Sequence, residues 1–386
     1  MTDWPIKTLG DVCEVIAGQS PEGKFYNKEG RGVPFYQGKK DFAERFLGSP
    51  TTWTTEITKL ARPGDILMSV RAPVGPVNLC PIEACIGRGL AAIRPSSKTG
   101  TDFIYYFLES IQSEIAGTEG AVFASINKAQ IANLRCPVPP LDEQKRIVAL
   151  LDAATARVTE LTACYEKART HANDLLESSL LELFADAFES HPKRKMGEVM
   201  QIARGGSPRP ISEYITKSSN GVNWIKIGDA SASKKYIHET AEKIKPEGVS
   251  SSRMVYPGDF LLSNSMSFGR PYIMKTEGCI HDGWLVLRDS NGELDQDFLF
   301  YLLGSRFMYE RFSQLAAGST VQNLNSALVS SVEIPVPPLD FQRTIAKQAR
   351  VLEENVSRLN EVFVLRLQAA QDLHQSILEA AFAGDL

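Results

Sequence analysis

Gly18-Gln-Ser-Pro-Glu-Gly23-Lys24 fits the GxxxxGK spacing of a loop that cradles phosphate with backbone N–H groups and a lysine. The next residue is Phe25, not the Ser or Thr that would hold magnesium, and the run KFYNKEG from Lys24 to Gly30 does not read as a helix start. The segment is read as a turn; an enzyme using nucleotide at Gly18–Lys24 is the alternative. The five histidines (His171, His191, His238, His281 and His374) show no pair at metal-ligand spacing. Six cysteines (Cys13, Cys80, Cys85, Cys136, Cys164 and Cys279) show no CxxC pair, which suggests buried thiols in a reducing cytoplasm. There is no Pro-Asp pair to open a common nuclease motif and no GxSxG elbow. The Asn/Asp-Pro-Pro-aromatic tetrapeptide that holds a flipped base is also missing. The chain reads as non-catalytic, with no metal and no cofactor of its own.

Binding residues then have to be found through the elements that would present them. The chain has 386 residues, 43% hydrophobic and 23% charged, an ordinary globular composition with room for two or three domains. No apolar run reaches the roughly 18–20 residues that span a bilayer, and the N-terminal sequence does not read as a secretory signal. The net charge of -4 argues weakly against a nucleic-acid partner but hides a partition. Residues 1–140 carry 15 basic and 14 acidic side chains, whereas residues 141–190 carry 5 and 10. Residues 191–338 are again slightly basic, with 17 against 15, and residues 339–386 acidic, with 5 against 7.

The partition follows an internal duplication. PVPPLD occurs at Pro137–Asp142 and at Pro335–Asp340, followed by Gln144, Lys145 and Ile147 in one copy and Gln342, Arg343 and Ile345 in the other. The offset of 198 persists to the end, where Ser178 matches Ser376 and Phe184 matches Phe382. Upstream the offset drifts: PGDILMS at Pro63–Ser69 matches PGDFLLS at Pro257–Ser263, Gly75 matches Gly269, and Ser20-Pro21 matches Ser207-Pro208.

Secondary structure explains why one part is rigid and the other elastic. From Ile147, apolar or small residues recur at Leu151, Ala154, Val158, Leu161, Tyr165, Ala168, Ala172 and Leu175, steps of four and three that predict a helix seam. The second copy gives Ile345, Ala349, Leu352, Val356, Leu359, Phe363, Ala370 and Leu373, interrupted by Arg366. An inserted residue would turn everything beyond it by about 100°, so such helices keep their length while loops do not. Asp142 and Asp340 are the expected N-caps. Asp142 to Phe184 would span about 65 Å, and the two helices are expected to pack on each other.

The rest of each unit, about 140 residues, reads as mixed α and β. Strands are expected at Asp65–Val70, Ala91–Arg94, Val222–Ile227, Asp259–Leu262 and Trp284–Leu287. Helices are expected at Phe103–Ile115 and Phe298–Phe312, with Phe103, Tyr106, Phe107, Phe298 and Tyr301 as core rather than base-stacking residues. Two diverged heads joined by helices suit two recognition surfaces, as in a dimer reading half-sites about 34 Å apart on DNA.

At these residues the sequence resembles the specificity subunit of type I restriction–modification systems. The resemblance rests on the paired halves, PGD-x-L-x-S followed by Gly, P-x-PPL-x-x-Q-x-x-I before each helix, and the closing LEAAFAGDL. It implies an α+β fold: target-recognition domains at 1–140 and 191–338, separated by long antiparallel coiled-coil helices at 141–190 and 339–386. It implies a non-catalytic, cytoplasmic subunit that reads a bipartite site on double-stranded DNA. Its partners would be two methyltransferase subunits that modify adenine, and two restriction subunits can join. S-adenosylmethionine, ATP and magnesium would belong to those partners. One departure is Phe341 where the first copy has Glu143.

DNA contact needs Lys and Arg for phosphates and Gln, Asn or Arg for base edges. The candidates in the first half are Gln37, Lys39, Lys40 and Arg71. In the second they are Arg204, Arg209, Lys226, Lys234, Lys235 and Arg270, with Gln322, Asn323 and Asn325 in a polar loop. The helix-interface candidates are Ile147, Leu151, Val158, Leu161, Ile345, Leu352, Val356 and Leu359. A competing reading is a coiled-coil protein-interaction scaffold that never touches DNA.

Overall fold

The computed structural model describes residues 4–116, 125–231, 233–264, 269–289, 291–317 and 324–386. The chain divides into two compact units, Met1–Glu166 with Val364–Leu386, and Lys167–Phe363.

In the first unit, β1 (Cys13–Ala17), β3 (Ile66–Ser69), β4 (Val77–Leu79) and β6 (Leu90–Pro95) form an antiparallel sheet in the order β1-β6-β3-β4. A second sheet contains β2 (Val33–Tyr36) beside β5 (Ala84–Ile86), paired in parallel. Side chains alternate along a strand, and the alternation in β3 sorts it between two cores. Ile66 and Met68 join Ala91, Ile93, Phe103 and Tyr106 on one face. Leu67 joins Leu90, Ala92, Ile86 and Tyr36 on the other. A strand buried on both faces reads as an unbroken apolar run, hence ILM.

The second unit repeats the plan. β7 (Gln201–Arg204), β9 (Phe260–Ser263), β10 (Pro271–Met274) and β12 (Trp284–Arg288) keep the order β7-β12-β9-β10, extended by Tyr236–Ile237. The second sheet again sets β8 (Val222–Ile225) parallel to β11 (Gly278–Ile280). Phe260 and Leu262 face one core and Leu261 the other.

The PGD motif is a turn with an electrostatic clasp. Gly64 and Gly258 hold φ of 89° and 98°, a region that only glycine enters without strain. The Asp65 carboxylate accepts the Arg62 N–H and forks onto Arg94 on β6 at 2.8 Å through both oxygens. Asp259 accepts the Tyr256 N–H and forks onto Arg288 on β12 at 2.9 and 2.7 Å. The strands expected around Asp65–Val70, Ala91–Arg94, Asp259–Leu262, Trp284–Leu287 and Val222–Ile227 are present as β3, β6, β9, β12 and β8. Each expected head helix is two: α1 (Thr101–Ser110) with Gln112–Ala116, and α2 (Gln296–Gly304) with Arg306–Ala317. Their aromatics are buried core, as expected.

The central helix runs Leu141–Ser190 and the C-terminal helix Leu339–Ala383. Each starts one residue before the expected cap: Gln144 N–H donates to the Pro140 carbonyl, and Gln342 N–H to Pro338. Asp142 and Asp340 therefore sit inside the first turn with almost fully exposed side chains, favourable to the helix dipole but not caps. The motif glutamine does the tying. Buried Gln144 accepts Gly100 N–H through Oε1 and donates through Nε2 to the Pro139 carbonyl. Gln342 does the same with Asp295 N–H and the Pro337 carbonyl.

Within each unit the start of one long helix packs with the end of the other. Ile147 and Leu151 share a core with Leu378 and Ala381, and Phe382 lies 5.2 Å from Phe103. Ile345, Ala346 and Ala349 share a core with Phe184, which lies 5.7 Å from Phe298. Ile147, Leu151, Ile345 and Val356 are buried, and Val158 and Leu352 half-buried, but Leu161 and Leu359 are exposed, at 44% and 47%. Thr162 and Asn360 take their places, and Leu367 stands in the seam beside exposed Arg366. The seam recurs every 11 residues, at Ala154, Tyr165, Leu176 and Ala187 and at Ile345, Val356, Leu367 and Leu378. That is 3.67 residues per turn, close to an undistorted helix, from which a strict heptad drifts.

Candidate nucleic-acid interface

Gly18–Lys24 does not cradle phosphate. It runs into a single 3-10 turn, Gly23–Phe25, and Lys24 pairs with Glu22 at 2.6 Å. Its first glycine instead packs against a turn where loops of both sheets converge.

That turn is Gly87-Arg88-Gly89, between β5 and β6. Gly18 N–H donates to Leu90, Gln19 N–H to Ile86, Gly87 N–H to Tyr36 and Val70 N–H to Gly89. A Cβ on Gly18 would stand 2.2 Å from the Gly87 oxygen, and one on Gly89 2.2 Å from the Gln37 oxygen. No other residue fits either position, so the turn is clamped between the exits of β1 and β2. Around it the structure gathers the first-half candidates. Gln37 follows β2, with its N–H on the Asp41 carboxylate at 2.7 Å. Lys39 and Lys40 lie in the 3-10 turn Lys39–Asp41. Arg71 follows Val70. All four are exposed, as is Arg88. Among the described residues, no ion pair engages Lys39, Lys40, Arg71 or Arg88. Arg88 was missed by the sequence reading; its signal is a lone arginine between two glycines just before a predicted strand.

The equivalent turn in the second unit is His281-Asp282-Gly283. Gly205 takes the place of Gly18, its Cβ position 2.1 Å from the His281 oxygen. The charge is reversed. Asp282 accepts Ser207 Oγ at 2.8 Å and pairs with Arg209 at 3.4 Å, while its carbonyl accepts Arg204 Nε at 3.0 Å. The hydrogen bond from Ser207, ahead of the neighbouring cations, holds the Asp282 carboxyl below the usual range. Burial, with Lys226 nearby, pushes the His281 imidazole down from its usual range, against the pull of Asp282. Arg204, Arg209 and Lys226 thus gather at one turn, as Gln37 and its neighbours do.

The remaining candidates separate. Lys226 is also held by Glu242 at 2.5 Å. Lys235 is mostly buried: its side chain is 16% exposed, paired with Asp297 at 2.7 Å and set over the rings of Phe300 and Tyr301. Asn325 is a helix cap, accepting Leu328 N–H at 2.9 Å, as Asn127 caps Lys128–Ala132. Lys234 and Arg270 are exposed and line a cleft of about 1010 Å³ beside Tyr309 and Glu353. Gln322 and Asn323 lie outside the described residues. Where Glu143 pairs with Arg146 at 2.8 Å, Phe341 packs its ring 4.4 Å from His191, so an ionic contact is replaced by an apolar one.

One body built twice, with the same frame and oppositely charged turns, belongs to the class of duplicated recognition proteins. The family model described as type I restriction modification DNA specificity domain matches residues 1–168 and again 190–361. The chain belongs to that family and is a DNA-specificity component rather than a catalyst. A putative type I restriction enzyme MjaX specificity subunit from Methanocaldococcus jannaschii is 44% identical over 155 residues, 39% of this chain and 36% of that one. The EcoDI specificity subunit from Escherichia coli is 22% identical across 100% of this chain and 89% of its own length. Among solved structures, a chain from work on complex assembly and conformational transition of the type I R-M system matches at TM-score 0.77. It is 22% identical, covering 99% of this chain and 98% of that one. The HsdS subunit from Thermoanaerobacter tengcongensis matches at 0.58, also 22% identical, covering 100% and 98%. No described helix is long and apolar enough to cross a membrane.

Proposed function

We propose that this chain reads a two-part site on double-stranded DNA, one part with each unit, and that its long helices dock two methyltransferase subunits. Restriction subunits join through that assembly. S-adenosylmethionine, ATP and magnesium act in those partners, in the cytoplasm, and this chain supplies recognition alone. The observation that carries the reading is the pair of equivalent turns: one clamped scaffold presents Arg88 in one copy and an Asp282-organised arginine cluster in the other. A duplicated frame with divergent contact residues is what reading two different half-sites requires. Docking is supported by apolar side chains the helices leave exposed, Leu150, Leu161, Leu365 and Leu373 in the first unit and Leu175, Val351, Leu359 and Val362 in the second.

The test is DNA binding by the chain with its co-purifying methyltransferase, across a salt series. Affinity is expected to fall linearly on a log–log plot, with a slope near -0.9 per neutralised phosphate. Binding indifferent to salt, or a chain that captures no methyltransferase, overturns the reading in favour of a scaffold without DNA.

A further inference from the structure

We infer that Arg88 is a base-reading residue that selects guanine in the half-site read by the first unit. The inference rests on the DNA-reading function proposed above and names the chemistry of one contact in it. A guanidinium reads guanine through two parallel N–H bonds to O6 and N7 in the major groove, and this geometry tolerates little wobble of the backbone that carries it. Arg88 meets that requirement. Its N–H is fixed by Ser20 Oγ at 3.2 Å, and Gly87 and Leu90 bond across the turn at 3.0 Å. The glycines on either side are locked by the approach of Gln37 and Gly18.

Its electrostatic setting points the same way. Two other arginines of the first unit's head do structural work, Arg45 joining Asp102 and Asp152 and Arg94 joining Asp65, whereas exposed Arg71 on the adjoining loop is, like Arg88, in no ion pair among the described residues. Arg88 has no ion pair among the described residues and is exposed, and its turn touches the Gln37–Gly38 segment that leads into exposed Lys39 and Lys40, whose charges suit phosphates. The matching position in the second unit is Asp282, whose carboxylate is occupied by Ser207 and Arg209. The difference therefore marks a position where the two units read different bases, not a shared structural residue.

The experiment selects binders from a pool of random-sequence duplexes. It compares the full chain, with its co-purifying methyltransferase, to Arg88→Ala, Arg88→Lys and Lys39→Ala. The wild type is expected to enrich a two-part consensus containing a guanine that Arg88→Ala no longer requires, with the other half-site unchanged. On that consensus Arg88→Ala should lose roughly ten- to a hundredfold in affinity. Replacing that guanine with 7-deazaguanine, which lacks N7, should weaken wild type and leave Arg88→Ala unaffected. Arg88→Lys keeps the charge without the fork and should relax the consensus at the same place. Lys39→Ala should weaken binding to all sequences alike. An unchanged consensus in Arg88→Ala, or uniform weakening of all sequences, overturns the assignment and leaves the DNA-reading function standing. A wild type that enriches no consensus overturns both.

Discussion

The two units keep one set of contacts and change another. Asp65–Arg94 and Asp259–Arg288 are the same clasp at the same place, and Gln144 and Gln342 make the same staple. The joint between head and helix is different. In the first unit Arg45 bridges Asp102 and Asp152 at 2.7 and 2.8 Å, and Tyr106 donates to Asp152 at 2.6 Å. In the second, Lys235 takes Asp297 at 2.7 Å, and Tyr301 donates to Glu353 at 2.8 Å. At the position of Asp152 stands Arg350, 3.9 Å from Asp297. The tyrosine is kept, while the charges around it are redistributed between head and helix. At the turn between the two sheets the change is complete, Arg88 against Asp282. Contacts that set backbone geometry are kept because any change moves a strand. A charge pair at a joint can be rebuilt with other partners. A contact with a ligand outside the chain answers to that ligand.

If the clasp is frame in both units, breaking it is the most damaging single change. Asp65→Ala takes the bidentate partner from Arg94, which is 23% exposed and keeps Glu14 at 3.2 Å, and is expected to cost about 3 kcal/mol. Asp259→Ala, whose carboxylate is 11% exposed and whose arginine is 33% exposed, should cost about 2–3 kcal/mol after discounting for solvent. Denaturant unfolding followed in each variant checks the order. A neutral Asp259→Ala would break the equivalence of the units.

The staple comes next. Gln144→Ala strands the Gly100 N–H and the Pro139 carbonyl at the start of the central helix, and Gln342→Ala strands the Asp295 N–H and the Pro337 carbonyl. Each loss is expected at about 1–3 kcal/mol, and amide exchange should quicken at Gly100 in one variant and at Asp295 in the other. Exchange that quickens in only one of the two would show that the staples are not equivalent.

These contacts also mark how much of the molecule is legible in its sequence. The duplication, both long helices and five strands could be read because they are local patterns or repeats of one. That PGD carries a turn was readable from Pro-Gly; that its aspartate clasps an arginine 29 residues away was not, since pairing is fixed only by the register of β3 on β6. The seam was right at Ile147, Leu151, Ile345 and Val356 and one residue off at Leu161, Leu175, Leu359 and Leu373, because heptad counting cannot see an 11-residue period. Lys235 and Asn325 were chosen for charge and polarity, and the sequence does not show that one pairs with Asp297 and the other caps a helix. Arg88 was passed over because its signal, a glycine on either side, is not repeated at His281-Asp282-Gly283 in the second copy.

A smaller effect separates the joints by pH. His374 lies 2.9 Å from Thr155, and burial depresses its pKa, so the folded protein protonates it less readily than the unfolded chain does. In the unfolded chain it protonates near the ordinary value of about 6.5. The unfolded state then binds more protons, so stability is full above about pH 7.5 and falls as pH drops through 6.5. His281, also depressed by burial, gives the second unit a dependence of the same sign. Unfolding midpoints between pH 8 and 5.5 should decline, and His374→Gln should flatten the part due to the first unit. A midpoint that rose on acidification would reverse the assignment.

The smallest effect on folding should come from the positions the heptad pattern misplaced. Leu161→Asp and Leu359→Asp put charge on side chains already nearly half exposed, so each should change stability by no more than about 0.5 kcal/mol. Leu151→Asp and Ile345→Asp bury a charge in the seam and should be severely destabilising, which fixes the scale. If the outward apolar face is where the methyltransferase sits, Leu161→Asp and Leu359→Asp will fold normally yet lose it on co-purification, each on its own unit. A docking loss is interpretable here because the helix pair survives the change. Retention of both methyltransferase subunits in the double variant would place docking elsewhere, and would leave the exposed leucines without a role.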